Sequence, residues 1–223
     1  MTAYLILGAG KFGSLALERL ALGDAAARFV AVDLAPGALA AARAAHPGRV
    51  QGVASEAIAF LVEHLKEDSP WDWLLPMVPV HVAGAWLKAG PLARLPWEPL
   101  GVPEAVAALV PVTHRGKAGE LFLSRARHRC PDDCLEPEGG CPVSGELWET
   151  PLYGELAALK VPGFQVRVIP SRQLAPGVGG YPPRRLLALG REVGALKGKV
   201  LIATACRCHG VVEALNLGPG RDG

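Results

Sequence analysis

The segment Gly8-Ala9-Gly10-Lys11-Phe12-Gly13 follows the apolar run Tyr4-Leu5-Ile6-Leu7 and constrains this chain more than any other feature. A short apolar run closed by glycines reads as a buried strand. Leu15, Leu17, Leu20 and Leu22 then spread apolar side chains along a helix beginning near Lys11. A second strand, Phe29-Val30-Ala31-Val32, ends in Asp33, twenty positions after Gly13. Strand, glycine turn, helix, strand and acid in this order form a dinucleotide-binding fingerprint. Gly8 permits the tight turn, Gly10 leaves the backbone open to a pyrophosphate, and Gly13 lets helix and strand pack closely. Lys11 and Phe12 open the helix whose N–H groups face the phosphates. Asp33 suits a ribose 2′-hydroxyl, and no arginine follows it to receive a 2′-phosphate, so NAD(H) is expected over NADP(H). S-adenosylmethionine and FAD use similar geometry.

The alternation continues downstream. Pro36 to Ala45 and Glu56 to Glu67 read as helices, the latter capped by Ser55, with Val50 to Val53 as the third strand and Trp71 to Leu75 as the fourth. Val82 to Ala89 is a further helix. The expected fold class is α/β: a Rossmann-like doubly wound parallel sheet over 1–91, followed by a smaller cysteine-containing α/β region over 92–223 that is able to continue the same sheet. In that second region Ala105 to Val112, Glu120 to Ser124, Gln165 to Ile169 and Lys199 to Thr204 read as strands, and Pro182 to Leu196 as a helix. Gly218 to Gly223 are expected to fray.

Residues 4 to about 66 resemble the NAD-binding domain of potassium-transport regulators of the RCK/KTN type, on Ile6-Leu7-Gly8-Ala9-Gly10-Lys11-Phe12-Gly13 and Val30-Ala31-Val32-Asp33. The resemblance implies nucleotide contacts at Gly8, Gly10, Gly13 and Asp33. It stops before the second half, where Cys and Pro accumulate.

All five cysteines fall in two polar segments. Cys130, Cys134 and Cys141 share one loop with His128; Cys206 and Cys208 lie in Cys-Arg-Cys-His-Gly, beside His209. Clustered thiols with imidazoles suit soft or borderline metals. Zinc on three thiolates and His128, an iron–sulfur cluster completed by Cys206 or Cys208, and thiol exchange all remain open, as do cysteines without any ligand. The two segments are expected to meet in one site. Thr204 to Gly210 reads as a strand-to-helix junction, which would lower a thiol pKa and leave Cys206, Cys208 and His209 as catalytic candidates. His81, after the fourth strand, is a candidate proton donor for hydride transfer. Ser171-Arg172-Gln173, the glycine-rich 176–180, Arg184 and Arg185 suggest an anion site.

The net charge is only +2 and the basic residues are scattered, so no nucleic-acid surface is expected. With no apolar run of about 18 residues and no signal peptide, the chain is expected to be cytoplasmic and not membrane-inserted, with a small-molecule or redox-protein partner and a homo-oligomer allowed. Three functions compete: an NAD(H)-dependent oxidoreductase with a cysteine-ligated metal or thiol site, a nucleotide-sensing regulator with structural zinc, and a metal or thiol carrier on an inactive Rossmann scaffold.

Overall fold

The computed structural model describes residues 1–136 and 139–218. Two sheets organise it. The first contains β1 (Ala3–Leu7), β2 (Arg28–Asp33), β3 (Val50–Ala54) and β4 (Trp73–Pro76) in the order β3-β2-β1-β4. All its pairings are parallel. Helices α1 (Lys11–Gly23), α2 (Pro36–Ala45) and α3 (Ala57–His64) join successive strands, and α4 (Val82–Ala89) follows the last. The apolar runs therefore form parallel strands buried on both faces, as α/β crossovers require.

The second sheet runs β6 (Val112–Arg115), β7 (Leu121–Ser124), β12 (His209–Leu217), β11 (Gly198–Ala205), β8 (Phe164–Pro170), with β5 (Trp97–Leu100) paired to the far end of β12. Only β8 and β11 are parallel to each other in it, joined through α7 (Pro183–Gly194). The hairpin β9 (Arg172–Ala175) and β10 (Val178–Gly180) reaches back to the first sheet, where Tyr181 and Leu74 exchange backbone hydrogen bonds of 2.9 and 3.1 Å.

Strand alternation sorts the core into layers. Tyr4, Ile6, Phe29 and Ala31 face α1 and α2. Leu5, Leu7 and Val32 face the opposite way, onto α3, α4 and α7, and these helices meet Val200, Ile202 and Leu215 of the second sheet. Leu201, Ala203, Val212 and Ala214 turn outward onto α5 (Glu104–Ala107) and α6 (Leu152–Ala158). Three helices thus form a central layer between the sheets, and a single apolar cluster crosses the 91/92 division.

Several expectations change. Residues 105–112 do not form a strand: they include most of the short helix α5, and the strand begins only at Val112. Pro103 at the N-cap and Glu104 in the first turn suit a helix start. The cap of α3 is Glu56, whose carboxylate accepts the Ala59 N–H at 2.7 Å, in place of Ser55, and the helix ends at His64. No helix follows β11. The chain reverses at 206–208 into β12, because the alternating Val212, Ala214, Leu215 and Leu217 are buried as a central strand. The fraying expected at the C-terminus falls, from residue 219 onward, outside the described residues. Among those residues no helix is long and apolar enough to cross a membrane.

Candidate metal centre

The reversal between β11 and β12 builds the centre of the site. In Cys206-Arg207-Cys208-His209-Gly210, the Cys206 N–H donates to the His209 carbonyl at 2.9 Å, and the His209 N–H donates back to Cys206 Sγ at 3.3 Å. This turn brings Cys206 Sγ to 3.9 Å from Cys208 Sγ, and Cys208 Sγ to 3.3 Å from His209 Nδ1. One donor atom from each of the three residues lies within 4.8 Å of the others. With Zn–S near 2.3 Å and Zn–N near 2.0–2.1 Å, tetrahedral geometry sets S–S and S–N edges of about 3.8 and 3.6 Å. The observed separations are of that size.

The two cysteine segments meet. Cys130 Sγ is 3.6 Å from His209 Nε2. Cys130, Cys134, Cys206, Cys208 and His209 line one cavity of about 520 Å³, together with Phe12, Glu136, Gln173 and the glycine-rich 177–179. Cys141, the most buried of the five thiols, stands 3.8 Å from His128 Nε2 and does not line this cavity.

Polar contacts behind the ligands lock the segments together. Glu136 Oε1 accepts the Arg207 N–H at 2.9 Å, while Glu136 Oε2 accepts the Gln173 N–H at 3.3 Å. Gln173 returns the contact, taking the Glu136 N–H on Oε1 and donating Nε2 to the Cys134 carbonyl at 2.7 Å. The Gly177 N–H reaches that same carbonyl at 2.9 Å. A side chain at Gly177 would overlap the Asp132 carbonyl, so this glycine is needed for close approach as well as for its φ of +65°. The 171–180 stretch expected to bind an anion is therefore the β9–β10 hairpin supporting the cysteine loop. Arg184 and Arg185 are exposed on α7.

Thiol acidity differs around the site. Hydrogen bonding from Cys208 holds Cys206 well below the usual thiol value against the cost of burial, with His209 and the Cys208 N–H adding to the effect. Cys208 is pushed up by its bond to Cys206, by burial and by the neighbouring charges. Burial raises Cys130 and Cys134, and the other thiols add to it. The Cys208 thiol, with His209 and a backbone N–H of the hairpin turn, thus does what a helix N-terminus was expected to do.

The glycine turn lies beside this centre. Gly8 has φ +97°, a conformation that only glycine adopts readily, and a methyl at Gly13 would overlap the Gly8 carbonyl. Nothing stands within 4 Å of the space a side chain at Gly10 would fill. Asp33 accepts the Ala9 N–H at 2.7 Å and the Ala35 N–H at 2.8 Å, so its carboxylate also holds the turn together. A small hollow of about 140 Å³ opens beside Gly8, Asp33 and Ser55. Lys11 and Phe12 belong to the other side: Lys11 Nζ pairs with Asp132 of the cysteine loop at 2.6 Å, and Phe12 lines the thiol cavity.

His81 is 3 % exposed and caps α4 away from that cavity. Its Nδ1 lies 3.1 Å from Glu213 Oε1 and its Nε2 lies 3.2 Å from Thr204 Oγ1, while Lys88 Nζ reaches Glu213 Oε2 at 2.6 Å. Sequence reasoning missed Glu213 and Glu136. For Glu213 a signal existed: a lone acid inside the apolar run Val211-Val212-Glu213-Ala214-Leu215 needs a buried partner. Glu136 carried none, since its partners lie far along the chain.

Fold and site together define an α/β protein with a cysteine–histidine cluster where its two sheets adjoin. Residues 71–218 match the model of a family described as "Uncharacterized protein, C-terminal domain", and the chain belongs to that family. A protein of Archaeoglobus fulgidus described as "Uncharacterized protein" is 29% identical over 147 residues, covering 65% of this chain and 65% of that protein. The chain's match thus spans about two thirds of the relative's length. No solved structure matches. The family match includes every candidate metal ligand and begins after the glycine turn.

Proposed function

We propose that this is a metal-binding protein whose Cys206, Cys208 and His209 hold one zinc-class ion, with the fourth position open to the cavity that Cys130 and Cys134 also line. The convergence of those three donors within 4.8 Å supports the reading. A sulfur pair 3.9 Å apart suits two thiolates on one metal atom, whereas the thiolates of a [4Fe–4S] cluster sit on separate irons. Structural zinc sites are closed, whereas this one would lie in the wall of a sizeable cavity. That openness favours exchange of the ion, and so the carrier reading, over a purely structural clamp. Hydride transfer has less support, because His81 is enclosed by Glu213 and Thr204.

The test is metal analysis of the purified full chain, followed by cobalt substitution. Thiolate-to-cobalt charge-transfer absorption is expected, and it should disappear in Cys206→Ser and in Cys208→Ser. Cobalt that gives no such band in the unaltered protein would refute the proposal.

A second reading concerns the first sheet. The positive φ of Gly8, the open face at Gly10 and the position of Asp33 favour a Rossmann-like unit that binds NAD(H), which would make the protein a nucleotide-responsive one. Calorimetry is expected to show tighter binding of NADH than NADPH, lost in Gly10→Leu. Equal or tighter NADPH binding would remove this reading and leave the metal proposal standing.

A further inference from the structure

Cys130 lines the cavity, lies outside the ligand set proposed above, and stands against one of those ligands. His209 is bracketed by two sulfurs: Cys208 Sγ lies 3.3 Å from its Nδ1, and Cys130 Sγ lies 3.6 Å from its Nε2. The second contact joins residues 79 positions apart, so tertiary packing makes it. Both partners are held in place. In the Cys130 loop the Cys134 N–H donates to the Pro131 carbonyl at 3.1 Å, and Arg19 of α1 donates to the Asp132 carbonyl at 2.7 Å. On the other side the Arg125 N–H donates to the Cys208 carbonyl at 2.9 Å, and the His209 N–H is turned onto Cys206 Sγ at 3.3 Å.

The two nitrogens of an imidazole point away from opposite edges of the ring. The Nδ1 edge of His209 faces Cys208, whose sulfur is 3.9 Å from that of Cys206, so an ion shared by these three residues sits at that edge. Cys130 stands at the other edge, with the ring between its sulfur and the ion. A histidine that gives a lone pair to a metal carries its proton on the other nitrogen. That N–H is ordinarily taken by a carboxylate, a backbone carbonyl or water, which fixes the orientation of the ring and makes the ligating nitrogen more basic. Here the Cys130 sulfur occupies the acceptor position.

We infer that Cys130 positions His209, its sulfur accepting the Nε2–H and so fixing Nδ1 as the nitrogen that meets the ion. The inference rests on the metal-binding reading of Cys206, Cys208 and His209 and adds a role outside that ligand set. Cys130, which the sequence offered as a metal ligand, is by this geometry a positioning residue. The ion's fourth position is then left to whatever enters the cavity.

Zinc affinity of the full chain, from chelator competition, and nitrogen NMR of the His209 ring test this, with circular dichroism to verify folding. In the zinc-loaded unaltered chain His209 should show a metal-bound Nδ1 and a protonated Nε2. Cys130→Val, which keeps the bulk of the side chain and removes the acceptor, should bind one zinc about 10–100-fold more weakly, the usual effect of losing a partner behind a ligand. Its cobalt band should keep the unaltered intensity, because no thiolate leaves the ion. Cys130→Asn, whose carbonyl oxygen accepts the same N–H from a longer side chain, should recover most of the affinity. A weaker cobalt band in Cys130→Val would make Cys130 a ligand, and a metal-bound Nε2 would reverse the ring; either overturns the positioning role and leaves the metal site standing. Unchanged affinity in Cys130→Val overturns it too, as does a loss that Cys130→Asn does not repair, or a second zinc that occupies both ring nitrogens. An unaltered chain that takes up no metal would refute the metal-binding reading itself, and this inference with it.

Discussion

Glu213 shows how much a single side chain can demand of its surroundings. It is buried between the sheets, where burial would raise its pKa, yet hydrogen bonds and charge from His81 and Lys88 outweigh that and hold it below the ordinary value. A carboxyl whose folded pKa is depressed stabilises the fold above its unfolded value and ceases to do so as pH falls through the folded one. Thermal stability should therefore decline as pH drops below the ordinary glutamate value of 4.5, and Glu213→Gln should flatten that decline in pH-resolved melting. An equally steep acid limb in the variant would contradict the assignment. Gly84 faces the same carboxylate, and a methyl there would overlap it. Gly84→Ala should cost about 1–3 kcal/mol in urea denaturation, the usual cost of overpacking. An unshifted midpoint would show that the carboxylate has room to move.

At the scale of elements, the site depends on three pieces of chain that have no regular structure in common. The β11–β12 reversal supplies Cys206, Cys208 and His209, the loop before α6 supplies Cys130 and Cys134, and the β9–β10 hairpin supplies Gln173 and Gly177 behind them. Glu136 touches no proposed ligand atom. It binds the Arg207 N–H between Cys206 and Cys208, the two proposed ligands, and pairs with Gln173, so it positions the turn. Residues that orient ligands in this way commonly contribute 10–100-fold to metal affinity. Glu136→Ala should weaken zinc binding by about that factor in a chelator competition, with the number of ions bound unchanged. Affinity equal to the unaltered protein would mean that the turn is held without it.

Over the whole molecule, the central helical layer makes the two sheets one body. Trp86 of α4 packs in the cluster shared by Leu5 and Leu7 of the first sheet and Val200 and Ile202 of the second. Gly190 of α7 lies against its indole, where a side chain would overlap the ring. Trp86→Ala should cost about 3–5 kcal/mol, the range for large buried aromatics. Because the cluster is continuous, denaturation should remain one transition by both fluorescence and circular dichroism. Separate transitions for the two sheets would contradict that continuity.

The sequence alone determined the parallel sheet and the identity of the candidate donors. Alternating apolar runs, a glycine turn and helix-period stretches are local signals, so β1 to β4 and α1 to α4 were legible with their ends shifted by a few residues. The cysteines and histidines were legible too, since thiols concentrated in polar segments are a matter of composition. Tertiary structure decided the rest. That the chain turns back after Ala205 depends on β12 finding partners in β7 and β11, which no window around Cys206 reveals. That His209 meets Cys130 depends on Glu136 and Gln173, residues brought together across 37 positions of chain. That His81 is enclosed depends on an acid 132 residues away. Local pattern fixes which groups can bind; long-range packing fixes which of them share a site.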